Sequence, residues 1–465
     1  MAINKTKKNI TTQKNITTQK NITTQKHNAK QSKLKNIFVN NNDNNDNTKT
    51  LKIKNKNMHK NMHKNMHKGG RFIDKGGFGC IVMPAIPCSK DDKNLDTSVS
   101  KILLDKNLDT DNEIRISGIL QKIDPEYNFF VTISSKCYIN RIPTNRDDIL
   151  SVSFLDSNYK KFDIVNKDTD TDKDTDTDKD KDTNKDKDKD KCYIDLNLNP
   201  INLILPYAGF SLSNIMKIKR NSKGKYIQHA QMHQMFIDNL TMYIKHLCVG
   251  LHKMHNTRIV NKDIKQKNIM LYLQRQNGKD GDVMLIRYID FGLSQLLTRD
   301  VCNTIFSFNI KGTRRYIPPE IYICYVIKTY YNQDKKFHLL KINHYIKSHV
   351  VDAILRINEQ HMLDNLINVI ELLYNKLFKQ FQNGSILEKY YGSETHKFNG
   401  YLQKADVYAL GLSIFETVYR YSEINIKKSQ TYLILYDLLS HMINIDPDKR
   451  YNVVQCLQHM FFKLK

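Results

Sequence analysis

Between residues 235 and 255 the apolar side chains Phe236, Leu240, Ile244, Leu247, Leu251 and Met254 recur every three or four positions. That period buries one face of a helix, so the spacing predicts one amphipathic helix there. Ile116, Ile119, Leu120 and Ile123 repeat the pattern over 110–123, with Thr110 or Asp111 available as N-cap. A third helical period runs through "VDAILRINEQHMLDNLINVIELLYNKLFKQF" at 351–381. The pattern changes between 268 and 290, where "IMLYL" and "VMLIRYI" flank "QNGKDGD". Its Asn-Gly and Asp-Gly steps suit tight turns, and a hairpin is expected. "IDKGGFGCIV" at 73–82 reads as a second hairpin around a glycine-rich turn.

Elsewhere the apolar pattern stops. Residues 8–25 are three copies of "KNITTQ" and 56–67 three copies of "KNMH". Repeats this short and polar cannot bury enough surface to offset ordering entropy, so 1–68 is expected to be disordered. His59, His63 and His67 stand four apart and would share a helix face with Met58, Met62 and Met66, a pattern that metal binding or simple repeat expansion would each produce. Residues 167–191 alternate Asp, Lys and Thr without an apolar side chain and read as a solvated, disordered loop inserted in a domain.

Charge follows the same division. The formal net charge is +25, and residues 1–70 hold sixteen Lys against two Asp, with no Arg. Such a tail attracts anions without reading them, because it lacks Arg for bidentate contacts and has one aromatic, Phe38, for stacking. No specific nucleic-acid recognition is expected. The eight cysteines form no C-x-x-C pair and no apolar run reaches the roughly 20 residues a membrane helix needs. Free thiols, a reducing compartment and a soluble intracellular protein without a membrane partner are expected.

The candidate chemistry lies in "IVNKDIKQKNIML" at 259–271, which carries Asp263-x-Lys265-x-x-Asn268. Asp290 follows in "YIDFGLS", a carboxylate that could hold Mg²⁺ against nucleotide phosphates, with the Asn268 oxygen as another donor. Upstream, Gly76, Gly77 and Gly79 would let backbone N–H groups approach phosphate oxygens. Lys101 in "SVSKIL" and Glu113 in "NEIRIS" would form an ion pair that aims a cation at the phosphates.

Their order carries more than any one of them. Glycine-rich turn, Lys, Glu, D-x-K-x-x-N, D-F-G, "GTRRYIPPE" (312–320), "ADVYALG" (405–411) and "DPDKR" (446–450) follow one another along the chain. From about residue 71 to 462 the chain resembles the eukaryotic-type protein kinase family. The resemblance implies an α+β, two-lobed fold, with a β-rich N-lobe at 69–205, a hinge at 205–210 and a mainly α-helical C-lobe at 210–465. It implies an ATP site formed by Ile73, Gly76, Gly77, Phe78, Gly79, Ile81, Lys101, Glu113, Leu205, Tyr207 and Ala208, with Leu205 as gatekeeper and backbone groups of 206–208 meeting adenine. Asp263 would accept the proton of the substrate hydroxyl, Lys265 and Lys101 would stabilise phosphoryl charge, and Asn268 and Asp290 would bind Mg²⁺ or, alternatively, Mn²⁺. Glu320 would pair with Arg450, and Asp406 would brace the catalytic loop. Lys265 and "GTRRY" resemble the serine/threonine class, whose partners are ATP and a protein hydroxyl. The Lys-, Asn- and Ile-rich, Trp-free composition with tandem repeats resembles kinases of giant DNA viruses, which would place the protein in host cytoplasm or virion.

The chain also departs from the family. Asp74 replaces the first glycine of the loop and brings an anion toward the phosphates; Asn261 and Lys262 replace His-Arg, and Pro318 replaces an alanine. Lys262 keeps the charge without the bidentate fork, which argues against control by a phosphorylated activation loop. About 321–400 is an insertion between Glu320 and Asp406, either an accessory helical pair or a docking surface. A pseudokinase scaffold is the alternative function, and retention of Lys101, Asp263, Asn268 and Asp290 opposes it. A small-molecule kinase is opposed by "GTRRYIPPE", which shapes a peptide groove.

Overall fold

A computed structural model describes residues 71–76, 79–89, 92, 94–103, 108–139, 152–155, 192–195, 199–215, 230–274, 283–297, 312–350, 363–383, 400–419 and 430–463. The basic tail with its histidine repeat, the charged run 167–191, Gly77, Phe78, the turn at 275–282 and residues 351–362 lie outside the described residues.

The first third is built on a five-stranded sheet. β1 (Arg71–Gly76) and β2 (Gly79–Met83) form the glycine-rich hairpin, closed by the Gly76–Gly79 pair. β3 (Ser98–Leu103) follows, then helix α1 (Leu108–Ile123) and β4 (Ser135–Tyr138). β5 (Val152–Leu155) and β6 (Cys192–Asp195), which flank the charged run, pair parallel to one another. β7 (Ile201–Pro206) enters between β3 and β4, giving the order β1-β2-β3-β7-β4. Gly79 has a packing reason to be glycine: a Cβ there would sit 2.0 Å from the Ile102 carbonyl oxygen.

α1 starts two residues earlier than the sequence suggests, so Thr110 and Asp111 lie inside its first turn and neither is the N-cap. Ile116 and Leu120 are buried, as their period requires.

Helices dominate thereafter. β8 (Phe210–Ser211) leads into the short α2 (Leu212–Ile215). The single helix expected over 235–255 is two, α3 (Ala230–Asp238) and α4 (Leu240–Asn256), parted at Asn239, whose backbone leaves helical geometry at φ −115° and ψ 29°. The apolar stripe crosses the break because both helices pack on one core, which also takes Leu271, Tyr288, Leu410 and Leu438. β9 (Ile259–Val260) precedes the expected hairpin, β10 (Ile269–Gln274) with β11 (Val283–Tyr288), in register from Ile269–Tyr288 to Gln274–Val283. β12 (Gln295–Leu296) returns to pair with β9.

α5 (Pro319–Thr329) begins with Pro318 as N-cap and Pro319 at its first position. Proline's fixed φ suits both places, and a helix start has no use for the missing N–H. Two more helices follow, α6 (Lys335–His349), capped by the Asp334 side chain on the Phe337 amide, and α7 (Leu363–Gln382). Their core joins Ile323, Ile327, Ile342, Tyr345, Ile370 and Leu377. α8 (Tyr401–Tyr419), α9 (Gln430–Met442) and α10 (Val453–Gln458) complete the chain.

Free thiols are not what the fold provides throughout. Cys88 and Cys137, 49 residues apart, are disulfide-bonded with Cα atoms 5.4 Å apart. The sheet brings β4 close to the loop after β2, a proximity that cysteine spacing does not encode. Cys248, Cys324 and Cys456 are free and buried. Among the described residues no helix is long and apolar enough to cross a membrane.

Candidate active site

Lys101 lies on β3 in register with Ile81 of β2, so the two side chains share a face of the sheet. Its ammonium donates to Glu113 Oε1 at 2.7 Å and Oε2 at 2.9 Å, and to Asp290 Oδ1 at 2.8 Å. Burial works against the Lys101 charge, but the two carboxylates outweigh it and hold the ammonium above the usual lysine range. Asp290 is likewise pushed up by burial and pulled further down by Lys101 and Lys265, so its carboxyl ends below the usual range. Glu113 ends above its usual range because burial outweighs Lys101 there, with Asp290 adding to the rise. Asn112, the neighbour of Glu113 on α1, donates to the carbonyls of Gly292 at 3.2 Å and Ser294 at 2.6 Å. One helix end thus holds both the lysine and the segment that carries Asp290.

The Asp263 carboxylate lies at the centre of a second network. Oδ1 accepts from the Thr313 amide at 3.0 Å and hydroxyl at 2.9 Å; Oδ2 accepts from Lys265 Nζ at 2.6 Å and Asn268 Nδ2 at 3.1 Å. Lys265 Nζ also donates to Thr313 Oγ1 at 2.9 Å. These donors set the carboxylate's orientation and satisfy its oxygens in a buried place, where an unpartnered polar group would be costly.

The loop beneath is braced from α8. Asp406 accepts from the amides of Asn261 at 2.7 Å and Lys262 at 2.9 Å, and Asp406 Oδ2 lies 3.0 Å from His255 Nε2 on α4. The substituted Asn261 has a use of its own: its Oδ1 accepts from the Asp263 amide at 3.0 Å. Lys262 reaches Gln295 on β12 at 3.3 Å. Lys262 and Asp290 hold left-handed φ values of 68° and 63°. Such non-glycine strain costs about 1–3 kcal/mol per residue and persists where surroundings over-determine it, most often at functional sites. Gly312 at φ 123° passes so close to Lys262 that a Cβ would lie 2.6 Å from its carbonyl oxygen.

The segment 313–317 is held from two sides. On α8, Glu416 pairs with Arg315 and accepts from the Tyr316 hydroxyl at 2.9 Å. On α6, the buried Tyr345 hydroxyl lies 2.7 Å from the Arg314 carbonyl and 2.5 Å from that of Ile317, its ring stacked 3.9 Å from Tyr322. Farther away, Arg450 grips Glu320 in a bidentate pair at 2.5 and 3.0 Å, with both side chains fully enclosed.

At the end of β7, Leu205 packs with Leu103, Val131, Leu203 and Ala208. Tyr207 differs from its expected part, because its amide donates to the Thr97 carbonyl at 2.9 Å and its own carbonyl takes Arg287 at 3.4 Å. Its main-chain N–H and C=O are therefore both already engaged. Ile73 and Asp74 lie on β1, with Asp74 in register with Ile81. Thr313, Asn112, His255 and Tyr345 contribute to the network without having been singled out from the sequence. Thr313 and Asn112 were within reach, inside the quoted "GTRRY" and "NEIRIS"; His255 and Tyr345 carry no local signal.

A protein-kinase type of chain is what comparison with known families supports: residues 206–337 match the protein kinase domain. Mouse serine/threonine-protein kinase Nek3 is 29% identical over 109 residues, 23% of this chain and 17% of that protein. Mouse serine/threonine-protein kinase DCLK3 is 28% identical over 104 residues, 21% of this chain and 12% of that one. The chain thus spans less than a fifth of each relative's length, and these likenesses support a eukaryotic-type serine/threonine kinase family.

Proposed function

We propose that the chain is an ATP-dependent serine/threonine protein kinase of two lobes, 69–205 and 210–465, with the nucleotide between them and 1–68 as a separate tail. The observation that carries this reading is the convergence of Thr313, Lys265 and Asn268 on the Asp263 carboxylate. In the reaction, the acceptor hydroxyl oxygen bonds to the γ-phosphorus, the bond from that phosphorus to the ADP oxygen breaks, and the hydroxyl proton passes to Asp263. Lys265 stands beside the carboxylate to meet charge on the moving phosphoryl group, and Lys101, fixed by Glu113, meets the non-transferring phosphates. Backbone groups at 206–208 would meet adenine, Pro206 with its carbonyl alone because it has no N–H, and Leu205 would line that end.

A hard divalent cation fits the donor set. Asn268 spends its amide N–H groups on the carbonyl and carboxylate of Asp263, which turns its oxygen to acceptor duty, and the Asp290 side chain is 32% exposed. Mg²⁺ or Mn²⁺ held there supplies charge neutralisation for the phosphates. Composition and tandem repeats support a giant-virus origin for the chain.

The test is phosphate incorporation from Mg²⁺-ATP into generic acidic and basic proteins, with nucleotide binding measured in parallel. Asp263→Ala is expected to lower transfer by about 10²–10⁴-fold while binding persists. Equal transfer by both forms would remove Asp263 from the mechanism, and binding without transfer in either would favour a scaffold.

A further inference from the structure

The insertion does more to the peptide-facing segment than cover it. α6 has the sequence KKFHLLKINHYIKSH, with four lysines and no acidic residue; Lys335 is taken by Glu371 at 2.7 Å, which leaves Lys336, Lys341 and Lys347 to the basic face. Its Tyr345 hydroxyl reaches the Arg314 carbonyl, and the Tyr345 and His349 rings lie 5.2 Å apart, so the end of this helix stands against the segment. Arg314 follows Thr313, the residue that touches Asp263, which puts its side chain one residue along the chain from the proposed reaction centre. The two adjacent arginines are treated differently. Arg315 is neutralised by Glu416, whereas Arg314 is exposed and makes no ion pair among the described residues.

His344 on α6 is exposed and His349 half-buried. The His349 imidazole is held below the usual histidine range, first by burial and then by Arg314, His344 and Arg315. Among the described residues the carboxylates that act there are already engaged, Glu416 by Arg315 and Tyr316 and Glu320 by Arg450. A guanidinium with no ion pair among the described residues, beside a helix whose own charges are all positive, draws acidic ligands and repels basic ones.

We infer that Arg314, together with the basic face of α6, forms a specificity surface for protein segments carrying Asp or Glu beside the acceptor hydroxyl. This rests on the kinase reading for its biological meaning, but the surface itself can be tested without it. Synthetic peptides with one Ser, flanked on both sides by Asp, Asn or Lys, are titrated into the full chain by fluorescence anisotropy at low and moderate salt, and their phosphorylation rates are measured. The Asp-flanked peptide is expected to bind about tenfold more tightly than the Lys-flanked one at low salt, with the gap shrinking as salt screens it. Arg314→Gln is expected to reduce that ratio to about two- or threefold, and His344→Gln to reduce it less.

A ratio of one or below in the natural chain, or a ratio indifferent to Arg314→Gln in a variant with an unchanged melting temperature, overturns the inference. Acidic preference in binding with no phosphate transfer would sink the kinase reading and keep the surface. Transfer with no charge preference would do the reverse.

Discussion

Glu320 and Arg450 meet with both side chains wholly enclosed, whereas Lys101, Glu113 and Asp290 share their charges at a place where the Asp290 side chain keeps 32% of its surface open. The first pair is closed on every side: Arg450 also donates to the Asn444 carbonyl at 2.8 Å and lies 5.0 Å over the Tyr408 ring. Nothing in it is left to offer a ligand. The second arrangement gathers two carboxylates around one ammonium, so a polyanion and a cation entering there have partners to exchange with. Enclosure marks a joint of the fold; incomplete enclosure with surplus charge marks a place where binding is coupled to rearrangement.

The largest expected effect separates the two by stability. Glu320→Ala strands the Arg450 guanidinium in the core, and breaking a buried pair from one side costs about 3–5 kcal/mol. Urea unfolding should show that loss, and a double replacement, Glu320→Leu with Arg450→Met, should recover most of it. A single variant that unfolds like the natural chain would mean the pair is no joint.

Lys101→Met should cost less, on the order of 1–3 kcal/mol at neutral pH, because Glu113 and Asp290 then face each other without their cation. The sign with pH is opposite to ordinary acid denaturation. Without the ammonium, burial and then Asp290 push the Glu113 carboxyl further above its unfolded value, and Asp290 loses the main pull that held it down, so the variant should regain stability as pH falls and Glu113 takes up its proton. Melting temperature against pH for the variant and the natural chain reads this directly, and parallel curves would show that the lysine does not hold the carboxylates together. Nucleotide binding should weaken in the same variant.

In the natural chain the same centre predicts a smaller acid effect. Glu113 lies above its usual range, so on acidification it is protonated first; Asp290 lies below its range and keeps its charge longest. In linkage terms, the Glu113 contribution is present at low pH and lost as pH rises through its raised folded value. The Asp290 contribution is present above its unfolded value, near 3.9, and lost as pH falls through the lowered one. Nucleotide affinity is therefore expected to fall by about two- to fivefold where Glu113 takes its proton, above the ordinary glutamate value of about 4.3. Titrations from neutral to mildly acidic pH should lose that step in Glu113→Gln. A step retained in the variant would assign it to another group.

How far the sequence foretold this centre depends on chain distance. Lys101, Glu113, Asp263, Asn268 and Asp290 stand in short patterns; the first two meet Asp290 in one network, and Asp263 meets Asn268 in the other. Their partners lie far along the chain: Thr313 and Asn112 stand inside quoted motifs but 50 residues from Asp263 and 180 from Gly292, and His255, 151 from Asp406, stands in none. Each is a common polar residue whose meaning comes only from what folds against it. The break at Asn239 was hidden for a related reason, since two helices on one core keep the same apolar period across it. The Cys88–Cys137 bond depends on sheet order, which no cysteine spacing states.

Tyr345 tests whether an enclosed contact can act on the open centre, and its effect should be the smallest. Its ring stacks on Tyr322 and its hydroxyl lies between the carbonyls of Arg314 and Ile317. One hydroxyl has one proton, so it donates to either carbonyl, and Tyr345→Phe removes that bond while keeping the stack. A net hydrogen bond of this kind is worth about 1 kcal/mol. Global unfolding should therefore shift only slightly, while the amides of Tyr316 and Ile317, which close short turns onto Thr313 and Arg314, should exchange with deuterium several-fold faster. Exchange confined to that segment would make α6 a support for residues 313–317. Exchange unchanged there would leave Glu416 on α8 as the main anchor, and the insertion would then contribute charge without holding the segment in place.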